Sequence, residues 1–175
     1  MTDVRGPAVS DSTPLIYLAK IGRLSLLKGV FKSIYVPEAV FDEAVTQGKA
    51  LNMIDAFIIE KAVGDWIISE RVEPEVDAEY RFIDTNTRLG TGEKEALKLC
   101  KQLGALYFIA DDREARRVSR ILNIKPVGTL GVLVEAYRQG LIAKAEALQI
   151  LEALMKAGFR MSVSVYRRVL DDLET

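Results

Sequence analysis

Apolar and polar positions follow two rhythms along this chain. Short apolar runs bounded by turn residues read as buried strands. Longer stretches with apolar positions three and four apart read as amphipathic helices. Pro7 to Ser10 is the first short run and ends at Asp11. Leu15, Ile16, Leu18 and Ala19 then form one face of a helix, with Thr13 as its N-cap, Pro14 at its first position and Gly22 past its end. Leu24 to Phe31 reads as a second short helix. Ser33 to Val36 is the second strand; Pro37 stops it and opens a helix through Val45, which Gly48 breaks. Asn52 to Val63 is helical, and the third strand runs from Trp66 to about Val72. Pro74 to Asn86 has apolar positions at Val76, Tyr80 and Ile83 and reads as a helix. Thr91 caps the next helix, Glu93 to Gln102, and Gly104 closes it. Leu106 to Ala110 is the most buried-looking strand. Asp111 or Asp112 caps a helix to about Leu122, Lys125 to Val127 is a last strand, and helices follow over 130–139, 143–156 and 163–173. Met1 to Gly6 is polar and predicts a frayed start.

Strands alternating with helices predict an α/β fold: a parallel sheet with helices on both faces. The last two helices add nothing to a sheet. They suit a cover, an oligomer contact or a partner-binding arm, and a core-covering role is the simplest for 143–156.

Composition narrows the chemistry. A chain of 175 residues suggests one domain, and with 49% apolar residues it can bury a sizeable core. Cys100 is the only cysteine and lies among leucines, so no disulfide framework is expected. Histidine is absent. That removes Ser-His-Asp catalysis, zinc–histidine sites and imidazole acid–base chemistry together. A formal net charge of −1 argues against a general nucleic-acid coat, but leaves room for a local basic stripe. No apolar run approaches the roughly 20 residues of a membrane span. The N-terminus has no signal-peptide core. The expectation is a cytoplasmic protein with no membrane partner.

The acids that follow strands are the candidate site. Asp11 follows the first, Glu43 lies on the helix after the second, and Asp111 and Asp112 follow the most buried one. Glu93 sits in the first turn of its helix. In an open α/β sheet ligands bind outside the carboxyl ends of the strands. If the strands are parallel neighbours, these carboxylates converge, and their repulsion calls for a hard divalent cation, Mg²⁺ or Mn²⁺. Such an ion lowers the pKa of bound water and stabilises charge on a phosphate. Each acid also has an ordinary reading: a turn bond for Asp11, a solvated helix face for Glu43, a dipole partner for Glu93, an N-cap for Asp112. Their joint placement carries the argument.

Arg113, Arg116, Arg117 and Arg120 recur at helical spacing opposite the apolar Ala115, Val118 and Ile121. The first three could hold phosphates beside the acids. A solvated face with a local Glu114 bridge is the plainer alternative.

The stretches DSTPLIYLAKIG, VPEAVFDEAV, GTGEKEALKL and LYFIADDREARRV, in this order, resemble a PIN domain. Such domains are the nuclease part of many prokaryotic toxin–antitoxin toxins. The likeness continues through PVGTLGVLVEAYRQGLI and the tail GFRMSVSVYRRVLDDL, and so covers nearly the whole chain. It implies a three-layer α/β/α fold with a mainly parallel central sheet over residues 1–140 and a C-terminal helical extension, 141–175, packed on it. It also implies a Mg²⁺- or Mn²⁺-dependent ribonuclease with acids Asp11, Glu43, Glu93 and either Asp111 or Asp112, with Thr13 bracing Asp11. Glu93 stands where the family often has Asp. A homodimer and, for toxins, a small antitoxin that blocks the site are the implied partners beside RNA. The rival readings are a PIN-like module that binds RNA or protein without cutting it, and a phosphotransfer receiver, for which the late Asp111-Asp112 pair is out of order.

Overall fold

The computed structural model describes residues 5–75 and 77–175. The polar start at Met1 to Val4, and Val76, lie outside the described residues. The strands are β1 (Ala8–Ser10), β2 (Ile34–Pro37), β3 (Ile67–Glu70), β4 (Tyr107–Ile109) and β5 (Lys125–Val127). They form one all-parallel sheet in the order β3-β2-β1-β4-β5, with helices on both faces, a three-layer α/β/α arrangement. Ala8 pairs with Ile34 on one side and Tyr107 on the other. Successive strands therefore run outward from β1 to β3, and the chain then crosses back to lay β4 on the other side of β1. The switch point lies between β1 and β4, where an open parallel sheet leaves a crevice at its carboxyl end.

The helices are α1 (Ser12–Lys20), α2 (Leu26–Val30), α3 (Glu38–Phe41), α4 (Gly48–Ala50), α5 (Ile54–Val63), α6 (Ala78–Thr85), α7 (Thr91–Leu103), α8 (Arg113–Ile121), α9 (Thr129–Arg138), α10 (Lys144–Lys156) and α11 (Val163–Asp172). One core joins them. Val9, Ile34, Phe108 and Ile109 of the sheet are fully buried against Leu15, Leu97 and Leu133 of the helices. Cys100 is buried in the same core, and burial pushes its thiol up, as suits a packing residue. Ala147, Ile150 and Leu154 of α10 and Val169 and Leu173 at the C-terminal end also belong to it.

Three local expectations are corrected. Asp11, in extended conformation, is the N-cap of α1, and Thr13 lies inside the helix. Pro14 costs nothing two positions further in, because the first-turn N–H groups have no helical partner. Gly48 does not break a helix. The chain stays helical from Glu38 to Ala50, with a π-helical middle at Asp42–Gln47, and turns only where Asn52 takes a left-handed φ of 55°. A Cβ on Gly48 would lie 2.7 Å from the Ala56 Cβ, so this glycine serves the close approach of α4 to α5. Gly90, not Thr91, is the N-cap of α7.

Candidate active site

Asp11 is where the switch point acquires a charge. Its N–H donates to the Ile109 carbonyl at 2.9 Å, which fastens the end of β1 to the end of β4. Its side chain makes no capping bond, so the carboxylate is left to the cavity beyond the sheet, although the residue is only 4% exposed. The carboxyl is pushed up to about 7, chiefly by burial. The Ser12 amide opposes the rise, and the charges of Glu93, Glu43 and Asp111 add to it.

Glu43 reaches the same place from the π-helical turn after α3. A π turn widens the helix locally and is frequent at functional sites. Glu95 of α7 holds the start of α3, its Oε2 accepting from the Ala39 N–H at 3.1 Å. This docks α3 on α7 and brings their acids to one level. Gly92 lets them meet. A Cβ there would lie 2.9 Å from Glu43 Oε2, 3.4 Å from Val40 Cγ2 and 3.7 Å from Asp11 Oδ1.

Glu93 turns back on its own helix start, its Oε2 accepting from the Gly90 N–H at 2.8 Å. Burial raises its pKa; the Gly90 amide opposes this, and Asp112 and Glu43 add to it. Asp112 is the N-cap of α8 and accepts from the Ala115 N–H at 2.8 Å. Asp111 faces the other way. Its two oxygens accept from the Thr129 N–H at 2.8 Å and the Thr129 hydroxyl at 2.6 Å. Burial raises Asp111, while these bonds and Arg116 hold it down.

Asp11, Glu43, Glu93 and Asp112 thus line one cavity of about 650 Å³, together with Asp42, which the sequence reading did not single out and which accepts from the Gln47 amide at 3.1 Å; Asp111 lies behind it in the wall of a neighbouring cleft. Thr13 lines the acid cavity, but its hydroxyl makes no hydrogen bond to Asp11 among the described residues. The arginine stripe divides. Arg117 is forked onto Glu114, Nε to Oε2 at 2.9 Å and Nη2 to Oε1 at 2.7 Å. Arg116 lines the neighbouring cleft, and Arg113 is exposed. Among the described residues, the cation that lines the acid cavity is Arg88. Its backbone N–H donates to Asn86 Oδ1, and the Asn86 amide donates to Glu114 on α8 at 2.9 Å. The Arg117 fork, and after it the Asn86 amide, hold the Glu114 carboxyl down to about 2.

Sequence reasoning missed Arg88, Gly92 and Thr129. Gly92 stands two residues after Gly90 at the start of α7, and this second glycine could have been weighed for close approach. Arg88 and Thr129 carried no pattern.

The donor set is all oxygen, which fits a hard divalent cation. Among the described residues, no three acids stand grouped to hold one ion as they are placed. The reason is local: Glu93 and Asp112 each give an oxygen to an amide. Each has a second oxygen with no hydrogen bond among the described residues, and Glu43, exposed on a long arm, can swing. The residues fit the group by chemistry and by shared cavity, with side-chain rotation required to close around it.

No helix among the described residues is long and apolar enough to cross a membrane. A search of curated proteins finds no significant match to the chain. A family profile described as PIN domain matches residues 7–175, the span that includes every strand and every acid of the cavity, and this chain belongs to the PIN-domain family.

Proposed function

We propose that this protein is a divalent-metal-dependent endoribonuclease that hydrolyses RNA phosphodiesters. PIN domains are generally nucleases, and those nucleases generally use divalent metals, so membership supports this class of activity. The observation that carries the reading here is the convergence of Asp11, Glu43, Glu93 and Asp112, from four separate elements, on one cavity at the switch point. In this reading those acids hold Mg²⁺ or Mn²⁺, and Asp111 positions the strand end beside them through Thr129. The cation, when bound, supplies Lewis-acid polarisation of a phosphate oxygen and a lowered pKa for water. Arg88 meets the charge of the phosphate, and Gly92 keeps space for Glu43 beside Asp11.

Single-stranded RNA incubated with Mn²⁺ is expected to be cut by the wild type and spared by Asp11→Asn. Equal cutting by both would sink the assignment. Titration calorimetry is expected to find Mn²⁺ binding to the wild type and none to the Asp11→Asn, Glu43→Gln double variant.

The physiological setting this activity fits is the toxin of a toxin–antitoxin pair, with a small antitoxin covering the cavity. Growth arrest on expression of the wild type, absent with Asp11→Asn, is the expected sign. A homodimer is the assembly we favour, through the apolar ridge of Leu51, Ile54 and Phe57, which are 74%, 78% and 48% exposed. The second reading, a binding module, is favoured by the amides that engage Glu93 and Asp112. It expects RNA binding that survives EDTA and no cleavage under any metal.

A further inference from the structure

A second cleft, of about 630 Å³, runs along the free edge of β5. One wall is β5 and α9, the other the segment 159–162 and the inner face of α11. Among the described residues β5 pairs only with β4, so its outer edge is open, yet Pro126 stands in its middle. Proline removes a ladder donor, which makes this edge a poor template for an added strand. An extended peptide is therefore the wrong occupant.

The charges point to another. Six of the lining residues are cationic and three are acidic, while the whole chain is at −1. The acids are already spent. Glu135 pairs with Arg5, Asp172 takes Arg138 at 2.6 Å, and both Asp111 oxygens are on Thr129. Arg116, Lys125, Arg160 and Arg168 make no ion pair among the described residues. Lys125, Arg160 and Arg168 are exposed, whereas Arg116 is partly buried; a Cβ on Gly128 would lie 2.8 Å from its Nη1 and 3.0 Å from Asp111 Oδ1. The cleft thus begins where the acid cavity ends. Consecutive residues separate them, Asp112 lining the one and Asp111 the other.

We propose that this cleft holds the phosphate backbone of single-stranded RNA flanking the cut, with Arg116, Lys125, Arg160 and Arg168 as its phosphate contacts. The inference rests on the ribonuclease reading and adds the path of the strand to it. A single strand suits it better than a duplex because unpaired bases are free to stack on an aromatic side chain. Phe159 and Met161 give the sugar or base an apolar surface in its wall. The C-terminal segment then belongs to substrate binding as well as to the core.

The test is fluorescence anisotropy of a short labelled oligouridine on the full chain in EDTA, across a salt series. The variants are the triple Lys125→Ala, Arg160→Ala, Arg168→Ala, a double Arg160→Lys, Arg168→Lys, and Asp11→Asn. The triple variant is expected to bind at least tenfold more weakly. Its log K against log salt should flatten by about 2, because each phosphate contact on a single strand contributes roughly 0.7 to that slope. The lysine double variant should keep the wild-type slope. Unchanged affinity, or weaker binding with an unchanged slope, would overturn the proposal, as would tighter binding of a duplex than of the single strand. Asp11→Asn keeps the dependence apart from the premise. If it still cuts RNA in a parallel assay with Mn²⁺, the nuclease reading fails; if it is dead there but binds in EDTA with the wild-type slope, and the triple variant does too, only the cleft fails.

Discussion

The acid cavity and the basic cleft have nearly the same volume, about 650 and 630 Å³, and share a wall at Asp111 and Asp112, but they are built on opposite principles. In the first, every acid stands at the start of a helix or in its early turns, and Glu93 and Asp112 are tied by hydrogen bonds to specific amides. Asp11 is buried there at a cost, as its raised pKa records. In the second, three of the unpaired cations ride on exposed side chains. Charge that is buried, as at Asp11, or tied to an amide, as at Glu93 and Asp112, suits a place where geometry decides a rate. Loose, solvated charge suits a place where only attraction is needed, and it costs little stability. Two faces of one dipeptide can therefore be asked separate questions.

The strongest way to break the contrast is at Asp11. Asp11→Asn is expected to lower Mn²⁺-supported RNA cleavage by about a hundredfold or more, beyond what loss of a merely supporting partner costs. Gly92→Ala comes next. Its methyl would crowd Glu43 Oε2 and Val40, so cleavage should fall about tenfold, while stability stays within about 1 kcal/mol because alanine improves the helix. A cleavage rate equal to wild type would show that Glu43 need not sit against Asp11.

The cost at Asp11 is measurable without substrate. Its folded pKa of about 7 lies above an ordinary value of 3.8, so the folded state holds this proton more tightly. Stability from this group is full below pH 4 and is lost as pH rises through 7. In EDTA the wild type should therefore lose on the order of 2 to 4 kcal/mol over that window from this residue. Asp11→Asn should remove that slope and melt higher at pH 7.5. Denaturant melts at a series of pH values check this, and a wild-type slope unaltered by the substitution would refute it. The smallest effect is expected at Thr129→Val. It removes one hydroxyl bond to the partly buried Asp111 and should cost about 1 kcal/mol, with cleavage impaired less than by Gly92→Ala.

The sequence made the layer order legible because each element carries its own period. β4 and α7 needed only local patterns, an apolar run and a helix ending at Gly104 with φ 61°. The acids Asp11, Glu43 and Glu93 were legible for the same reason, since strand ends and helix starts can be read locally. What stayed hidden is set by contacts between distant parts. Asp111 turns from the cavity because Thr129, eighteen residues on, takes both its oxygens. Arg116 and Arg117 share a helix yet part company, one to a cleft and one to Glu114, because of what packs around α8. Gly48 reads as a helix breaker in isolation; only Ala56 across the helix pair reveals it as a contact.

The register of β1 against β4 joins residue 8 to residue 107. Bringing those segments together costs on the order of 4 kcal/mol in chain entropy before any strand pairing offsets it. Parallel pairings this distant fold slowly. While the chain is being made, Asp11 and Glu43 emerge and can meet long before Asp112 exists. The crevice between β1 and β4 cannot close before β4 has been made, so a growing chain carries Asp11 and Glu43 without a complete acid cavity until residue 112 has been added.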